Sequence, residues 1–138
     1  MEILLNVFVY GTLKPNQINY NAYCRDHITE QKKVYTFGRL YYLTELGYPA
    51  MVEDTKKVKK VYGYLLSFND LQYIDKLDIL EDFQDNRNEK ENEYQRRIIK
   101  TYTISDNSPE RAWTYLMDLT KIHYYQGVII ESGDFNDY

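Results

Sequence analysis

Two short stretches hold the residue types that could do chemistry. The first is an acid on an apolar helix face. Over residues 70–82 the residues Leu71, Ile74, Leu77 and Leu80 recur at helical spacing. Stepping about 100° per residue puts Glu81 between Ile74 and Leu77, in the middle of the stripe. Asp78 falls at its edge, and Asp75 and Asp82 fall outside. A carboxylate turned toward a core is costly unless something there needs it. Burial favours the neutral form and lifts the pKa toward the range where the group accepts and returns protons. Wheel geometry leaves a second reading open, in which Glu81 bonds backbone N–H groups or an arginine, or is rotated outward. The second stretch is Tyr10, Gly11, Thr12 and Leu13, a turn that ends an apolar run. A strand stopped by a glycine turn leaves N–H groups without ladder partners, and such groups can cradle a carboxylate or an oxyanion. An ordinary turn after a strand is the other reading.

The elements that must position these residues follow from the pattern. Residues 4–10 are apolar, branched and aromatic, and read as a strand. Gly11, then Pro15 and Asn16, break it. Residues 17–31 read as a short helix or an irregular connection. Strands are expected over 34–43, 50–52, 61–68, 94–104 and 111–118, with a last apolar piece at 127–130 and a hairpin connection at 105–109. Gly38 inside a strand suggests a bulge or a sharp bend, and with Gly63 it makes the repeated strand glycines that a small curved sheet needs. The helix over 70–82 has Asn69 as its expected N-cap and Gln72 as capping-box partner. Residues 84–93 contain no apolar side chain and read as a mobile surface loop. One helix inserted among strands makes the class α+β, with a closed or half-closed barrel.

Composition bounds the function. The 138 residues fit a single domain, 1–138, with room for a core. A net charge of −4 argues against a polyanion partner, so no nucleic acid is expected. The basic run Lys56, Lys57, Lys59 and Lys60 reads as a solvated hairpin end. One cysteine, Cys24, excludes an internal disulfide and fits a reducing, cytoplasmic setting. No run nears the length of a membrane span and no signal peptide is visible. His27 and His123 lack metal-ligand spacing, and the Cys24–His27 pair lacks an orienting group. The 16 tyrosines suit a barrel or a pocket wall. Trp113 and Tyr115 alternate on one strand and share a face.

Together the motifs resemble the γ-glutamylcyclotransferase superfamily, also called AIG2-like, and within it γ-glutamylamine cyclotransferase and its small bacterial relatives. The start of the chain is similar to YGTL(K/R)xGQxN, with Gln17 and Asn19 matching and Asn16 in place of glycine. Tyr48, Pro49 and Ala50 resemble (F/Y)PA. Leu77, Asp78 and Glu81 resemble LDxxE, with Asp82 where glycine often follows. Tyr94, Arg96 and Ile99 resemble YxRxxV, Ala112, Trp113 and Tyr115 resemble AWxY, and Gly133, Asp134 and Phe135 resemble GDW. The resemblance implies a small mixed β-barrel with a few external helices and a cavity. It implies a small-molecule γ-glutamyl substrate held by Tyr10, Gly11, Thr12 and Leu13, with Glu81 as general acid/base and no metal or organic cofactor. Tyr115 is expected in the pocket wall, the 84–93 loop is a candidate lid, and Arg96 is read as structural, pairing with Asp78. The departures at Asn16, Asp82 and Phe135 leave open an alternative, a ligand-binding or regulatory domain without turnover. Neither the leaving amine nor the oligomeric state is legible.

Overall fold

Strand alternation decides which apolar face goes where. The computed structural model describes residues 5–15 and 17–135, so the expectations for residues 4 and Asn16 lie outside the described residues. In β1 (Leu5–Val9) and just past it, Phe8 and Tyr10 join Val34, Leu65, Ile99 and Ala112 in one buried cluster. Leu5, Val7 and Val9 join a second cluster with Leu66, Phe68, Leu77 and Ile122. The first cluster draws on β2 (Ile28–Leu43), β4 (Lys60–Phe68), β5 (Gln95–Thr103) and β6 (Pro109–Leu116) as well as β1, and is the barrel interior. The second lies between the barrel's outer face and the helices.

The strands run β2-β4-β1-β6-β5, and β5 pairs back onto β2 through Val34↔Thr103 and Tyr35↔Tyr102, which closes the barrel. Among the described residues only β1 and β6 pair in parallel, at Val7↔Trp113; the other pairs are antiparallel. The expected α+β mixed barrel is therefore what forms. β2 outruns the barrel. At Gly38 it passes from β4 to β3 (Tyr48–Glu53), and its last residues also pair β7 (Gly127–Ile129). This extension lays Met51 of β3 across the barrel interior. Outside pack α1 (Tyr20–Tyr23), a 3-10 turn (Leu71–Tyr73) leading into α2 (Ile74–Leu80), and α3 (Leu119–Tyr124). None of the described helices is long and apolar enough to cross a membrane.

Two local expectations are corrected. β2 begins at Ile28, six residues before the sequence pattern suggested, because exposed residues such as Glu30 and Gln31 still pair with β4. The cap ahead of α2 is Asp70, whose carboxylate accepts from the Gln72 N–H at 2.9 Å, not Asn69. Gly63 pairs in register with Val34, and the register shift in this ladder falls between Ile28 and Glu30. Close approach requires glycine at 63: a Cβ there would lie 2.2 Å from the Val9 carbonyl oxygen. Gly63→Ala should therefore push β1 from β4 and lower stability by about 1–3 kcal/mol. A urea midpoint equal to that of the wild type would show that the two backbones can part freely.

Candidate active site

A cavity of about 450 Å³ opens where β1 and β6 end and where β3 and β5 begin. The end of α2 forms another wall. The helix stops there by a Schellman closure: the Phe83 N–H donates to the Asp78 carbonyl at 2.9 Å and the Asp82 N–H to the Ile79 carbonyl at 3.2 Å. The closure needs a left-handed residue, and Asp82 supplies it at φ 52°. Aspartate tolerates this conformation better than most residues, and its carboxylate is held by Arg87 at 2.8 Å. Glu81 is the residue just before the reversal, at φ −89°. As the wheel suggested, it follows the buried side of α2. Leu77 is fully buried, Ile79 is exposed, and Glu81 is half-buried on the cavity wall.

Around Glu81 stand tyrosines whose hydroxyls are mostly committed elsewhere. The Tyr10 hydroxyl donates to the Tyr115 carbonyl at 2.6 Å, that of Tyr94 to the Pro49 carbonyl at 2.8 Å, and that of Tyr115 to Asp78 Oδ1 at 2.7 Å. These bonds fasten β1 to β6 and β5 to β3, and leave ring surface toward the acid. The Glu81 N–H donates to the Leu77 carbonyl at 2.9 Å, but among the described residues its carboxyl has no hydrogen-bond or ion-pair partner. Desolvation by burial then lifts its carboxyl from an ordinary 4.5 to about 7. The Glu81 charge in turn helps raise the pKa of Tyr10, Tyr48, Tyr94 and Tyr115, behind the larger effect of their own burial.

The turn after β1 forms the opposite wall. Gly11, Thr12 and Leu13 line the cavity, and their N–H groups meet no acceptor among the described residues. The loop is braced from both sides. The Lys14 N–H closes the turn onto the Gly11 carbonyl at 3.0 Å, and the Asn19 N–H and side chain hold the Thr12 carbonyl and hydroxyl, each at 2.9 Å. Buried Lys14 pairs with Asp134 at 2.8 Å, so the Gly133–Asp134 element of the tail buttresses the turn. Gly11 does not take a positive φ. Its missing side chain instead admits Pro49, whose Cγ would be 2.7 Å from a Cβ at position 11. Two motifs far apart in the chain thus pack on one another.

The structure brings all the expected site residues, Tyr10, Gly11, Thr12, Leu13, Glu81 and Tyr115, to this one cavity. Arg96 is paired as expected, its Nη1 being 2.5 Å from Asp78 Oδ2, and its guanidinium lies over the Phe83 and Trp113 rings at 5.1 and 4.9 Å. Residues 84–93 form the expected surface loop, with 84–86 and 88–91 exposed. Asn92, 2% exposed, ties its ends: its Oδ1 accepts from the Gln84 N–H at 3.0 Å and from Arg87 Nε, its Nδ2 donates to the Gln84 carbonyl, and Lys121 donates to the Asn92 carbonyl. Of this loop Glu93 alone lines the cavity. Tyr48, Tyr94 and Glu93 also line the cavity and were not among the expected site residues. The two tyrosines stand inside quoted motifs, which could have found them; Glu93 is one of a run of polar residues and gave no signal. Cys24 is buried, with its thiol pushed up to about 12 by desolvation, and His27 stacks on Tyr73. Neither reaches the cavity.

A family model described as gamma-glutamyl cyclotransferase, AIG2-like, matches residues 7–137. The chain belongs to that family. Membership supports a cyclotransferase-type function. Solved structures share the fold. YkqA from Bacillus subtilis aligns with a TM-score of 0.68 at 23% identity, over 98% of this chain and 40% of YkqA, so the chain spans about two fifths of that protein's length. An AIG2-like protein from Mus musculus gives 0.66 at 21%, over 83% of this chain and 77% of the mouse chain. The uropathogenic E. coli-specific protein c4763 gives 0.64 at 14%, over 99% and 95%. No curated protein matches the chain at a significant level.

The desolvated acid has a stability signature. Glu81 holds its proton more tightly in the folded chain than in the unfolded one. The resulting stabilisation is fully present below about 4.5 and is lost as pH rises through about 7. Glu81→Gln has no charge to desolvate. It should match the wild type near pH 4.5 and exceed it at pH 8 by up to about 3 kcal/mol. Urea unfolding at the two pH values checks this, and a difference independent of pH counts against a desolvated acid.

Proposed function

We propose that this member of the family cleaves γ-glutamyl amides of amines, releasing 5-oxoproline and the free amine, with Glu81 as general acid/base. One observation carries the reading: an unpaired carboxyl with a pKa raised to about 7 shares a cavity with a turn whose N–H groups are unpaired. An acid of that strength can both take and return a proton near neutral pH.

In this mechanism Glu81 takes a proton from the α-ammonium of the γ-glutamyl residue. The freed amine attacks the γ-carbonyl of the same residue, a nitrogen–carbon bond forms, and a five-membered ring closes. As the adduct collapses, the bond from the γ-carbon to the leaving nitrogen breaks. The attacking nitrogen gives up a second proton, and both protons finish on the leaving amine, one returned by Glu81. The N–H groups of Gly11, Thr12 and Leu13 hold the α-carboxylate or the developing oxyanion. A single oxyanion donor is worth about 3 kcal/mol. Because the attack is intramolecular, the walls of the cavity mainly hold the substrate folded, and orientation of this sort is worth several kcal/mol. Tyr10, Tyr94 and Tyr115 keep water away from Glu81 while their hydroxyls bind the frame. Asp78, gripped by Arg96, fixes Tyr115.

Incubation with γ-glutamyl amines, ε-(γ-glutamyl)lysine and glutathione, followed by assay of 5-oxoproline, tests the reaction. The wild type should release it from at least one of the amine conjugates. Glu81→Gln should lose about 10²-fold or more in kcat, and release that survives this change would remove Glu81 from the chemistry. Since the base must be ionised to accept the first proton, kcat/KM should fall on the acid side through a pKa near 7. A profile flat from pH 5 to 8 would contradict the assignment.

A further inference from the structure

A second cleft, of about 290 Å³, shares no lining residue with the cavity of Glu81. Strand alternation places it on the outer face of the barrel. On β4 Val61 and Leu65 point into the barrel, so Tyr62 and Tyr64 point out. On β2 Val34 points in, so Lys33 and Tyr35 point out. Pairing sets the outward residues in two rows. Tyr62 is opposite Tyr35, and Tyr35 is opposite Tyr102 of β5. Tyr64 is opposite Lys33, whose carbonyl accepts from the Ile104 N–H at 3.3 Å. The cleft lies between the rows, with Tyr62 on one side, Tyr64, Lys33 and Ile104 on the other, and buried Gly63 and Val34 between.

The two tyrosines lean on different supports. Tyr62 lies against Tyr35 with ring centroids 6.2 Å apart, and Tyr35 stacks on Tyr102 at 5.4 Å. Tyr64 packs instead against the cluster that contains Leu66 and Phe68, on the helix side. Residues two apart on a strand are separated by about 6.7 Å. A flat ring stacked on both of its faces needs about 7 Å, twice the contact distance between ring carbons. The spacing of Tyr62 and Tyr64 therefore suits a planar aromatic ring.

The charges say what that ring would carry. At one end of the cleft Lys14, 1% exposed, is matched by Asp134 at 2.8 Å. Lys33 is exposed, and among the described residues its ammonium has no ion pair or hydrogen bond; nor do the hydroxyls of Tyr62 and Tyr64 have a partner. Lys32, beside it on the opposite face, is by contrast engaged by Glu110 at 2.6 Å. The lining is thus left with one uncompensated positive charge and two unbonded hydroxyls, which complement an anionic group attached to the ring. The volume is at the small end for a ligand site, and the net charge of −4 works against a long polyanion.

We propose that this cleft is a nucleotide site, taking a free nucleoside monophosphate with its base between Tyr62 and Tyr64 and its phosphate on Lys33. The proposal is independent of turnover at Glu81. Stacking on tyrosine tolerates any base, so AMP serves as the test ligand.

AMP titrated into the protein and followed by amide NMR should bind with a Kd below about 1 mM and shift Val34 and Gly63. Adenosine, which lacks the anion, and ribose 5-phosphate, which lacks the base, should each bind about tenfold or more weakly. Lys33→Gln alters an exposed, unpaired side chain and should weaken AMP about tenfold while leaving adenosine unchanged. Tyr62→Leu should weaken AMP and adenosine alike. Lys32→Gln and Glu81→Gln should leave AMP binding as it is. Absence of saturable AMP binding, ribose 5-phosphate binding as tightly as AMP, or AMP binding indifferent to Lys33→Gln overturns the proposal. So does loss of AMP binding in Glu81→Gln, which would put the ligand in the other cavity. A ten-residue oligoadenylate binding more than tenfold more tightly than AMP would also overturn it, by making this face a platform for single strands.

Discussion

The left-handed residue at Asp82 is the constraint on which the cavity depends. It ends α2 after Leu80, so that Glu81 falls at the point of reversal and not within a continuing helix. Its carbonyl then accepts from the Glu93 N–H at 3.0 Å and from Arg87 Nη2 at 2.8 Å. One peptide unit thus anchors the stretch that carries both carboxylates. The 84–93 segment is tied to the same point through Arg87 and Asn92. Helix termination and the anchoring of residues 84–93 meet at a single backbone unit.

The tyrosines explain how an acid can be kept in such a place. A ring brings apolar area, and a hydroxyl brings one bond that must be satisfied when buried. Here the hydroxyls of Tyr10, Tyr94 and Tyr115 are satisfied by carbonyls or by Asp78 and not by Glu81. Had one of them donated to Glu81, the bond would have favoured the ionised form and lowered its pKa. Committing them elsewhere keeps the carboxyl a weak acid. This arrangement costs stability at neutral pH, and such a local concession is expected where a side chain must stay reactive.

Much of this was legible because the signals were periodic. The barrel followed from alternating strands, and the acid on α2 followed from a 3.6-residue repeat, independently of any resemblance. What failed had no period to read. The first part of β2 is polar on its exposed face, so Glu30, Gln31, Lys32 and Lys33 looked like connection and not strand. The choice between Asp70 and Asn69 as cap turns on one dihedral. The close approach of Pro49 to Gly11 is a tertiary fact with no local trace in the sequence. Glu93 became distinctive only when folding brought it to the same cavity as Glu81. The order within residues 84–93 depends on a single buried asparagine, which composition cannot distinguish from its neighbours.

The parallel contact between β1 and β6 joins residues 7 and 113. Antiparallel hairpins close as soon as their second strand exists, but this pair must wait for nearly the whole chain. A ribosome extends a polypeptide by about 5–20 residues each second, so the amino-terminal turn spends several seconds with its eventual neighbour not yet synthesised. Nascent protein therefore lacks the complete cavity until late in translation, with the β6-facing edge of its first strand unpaired during that interval.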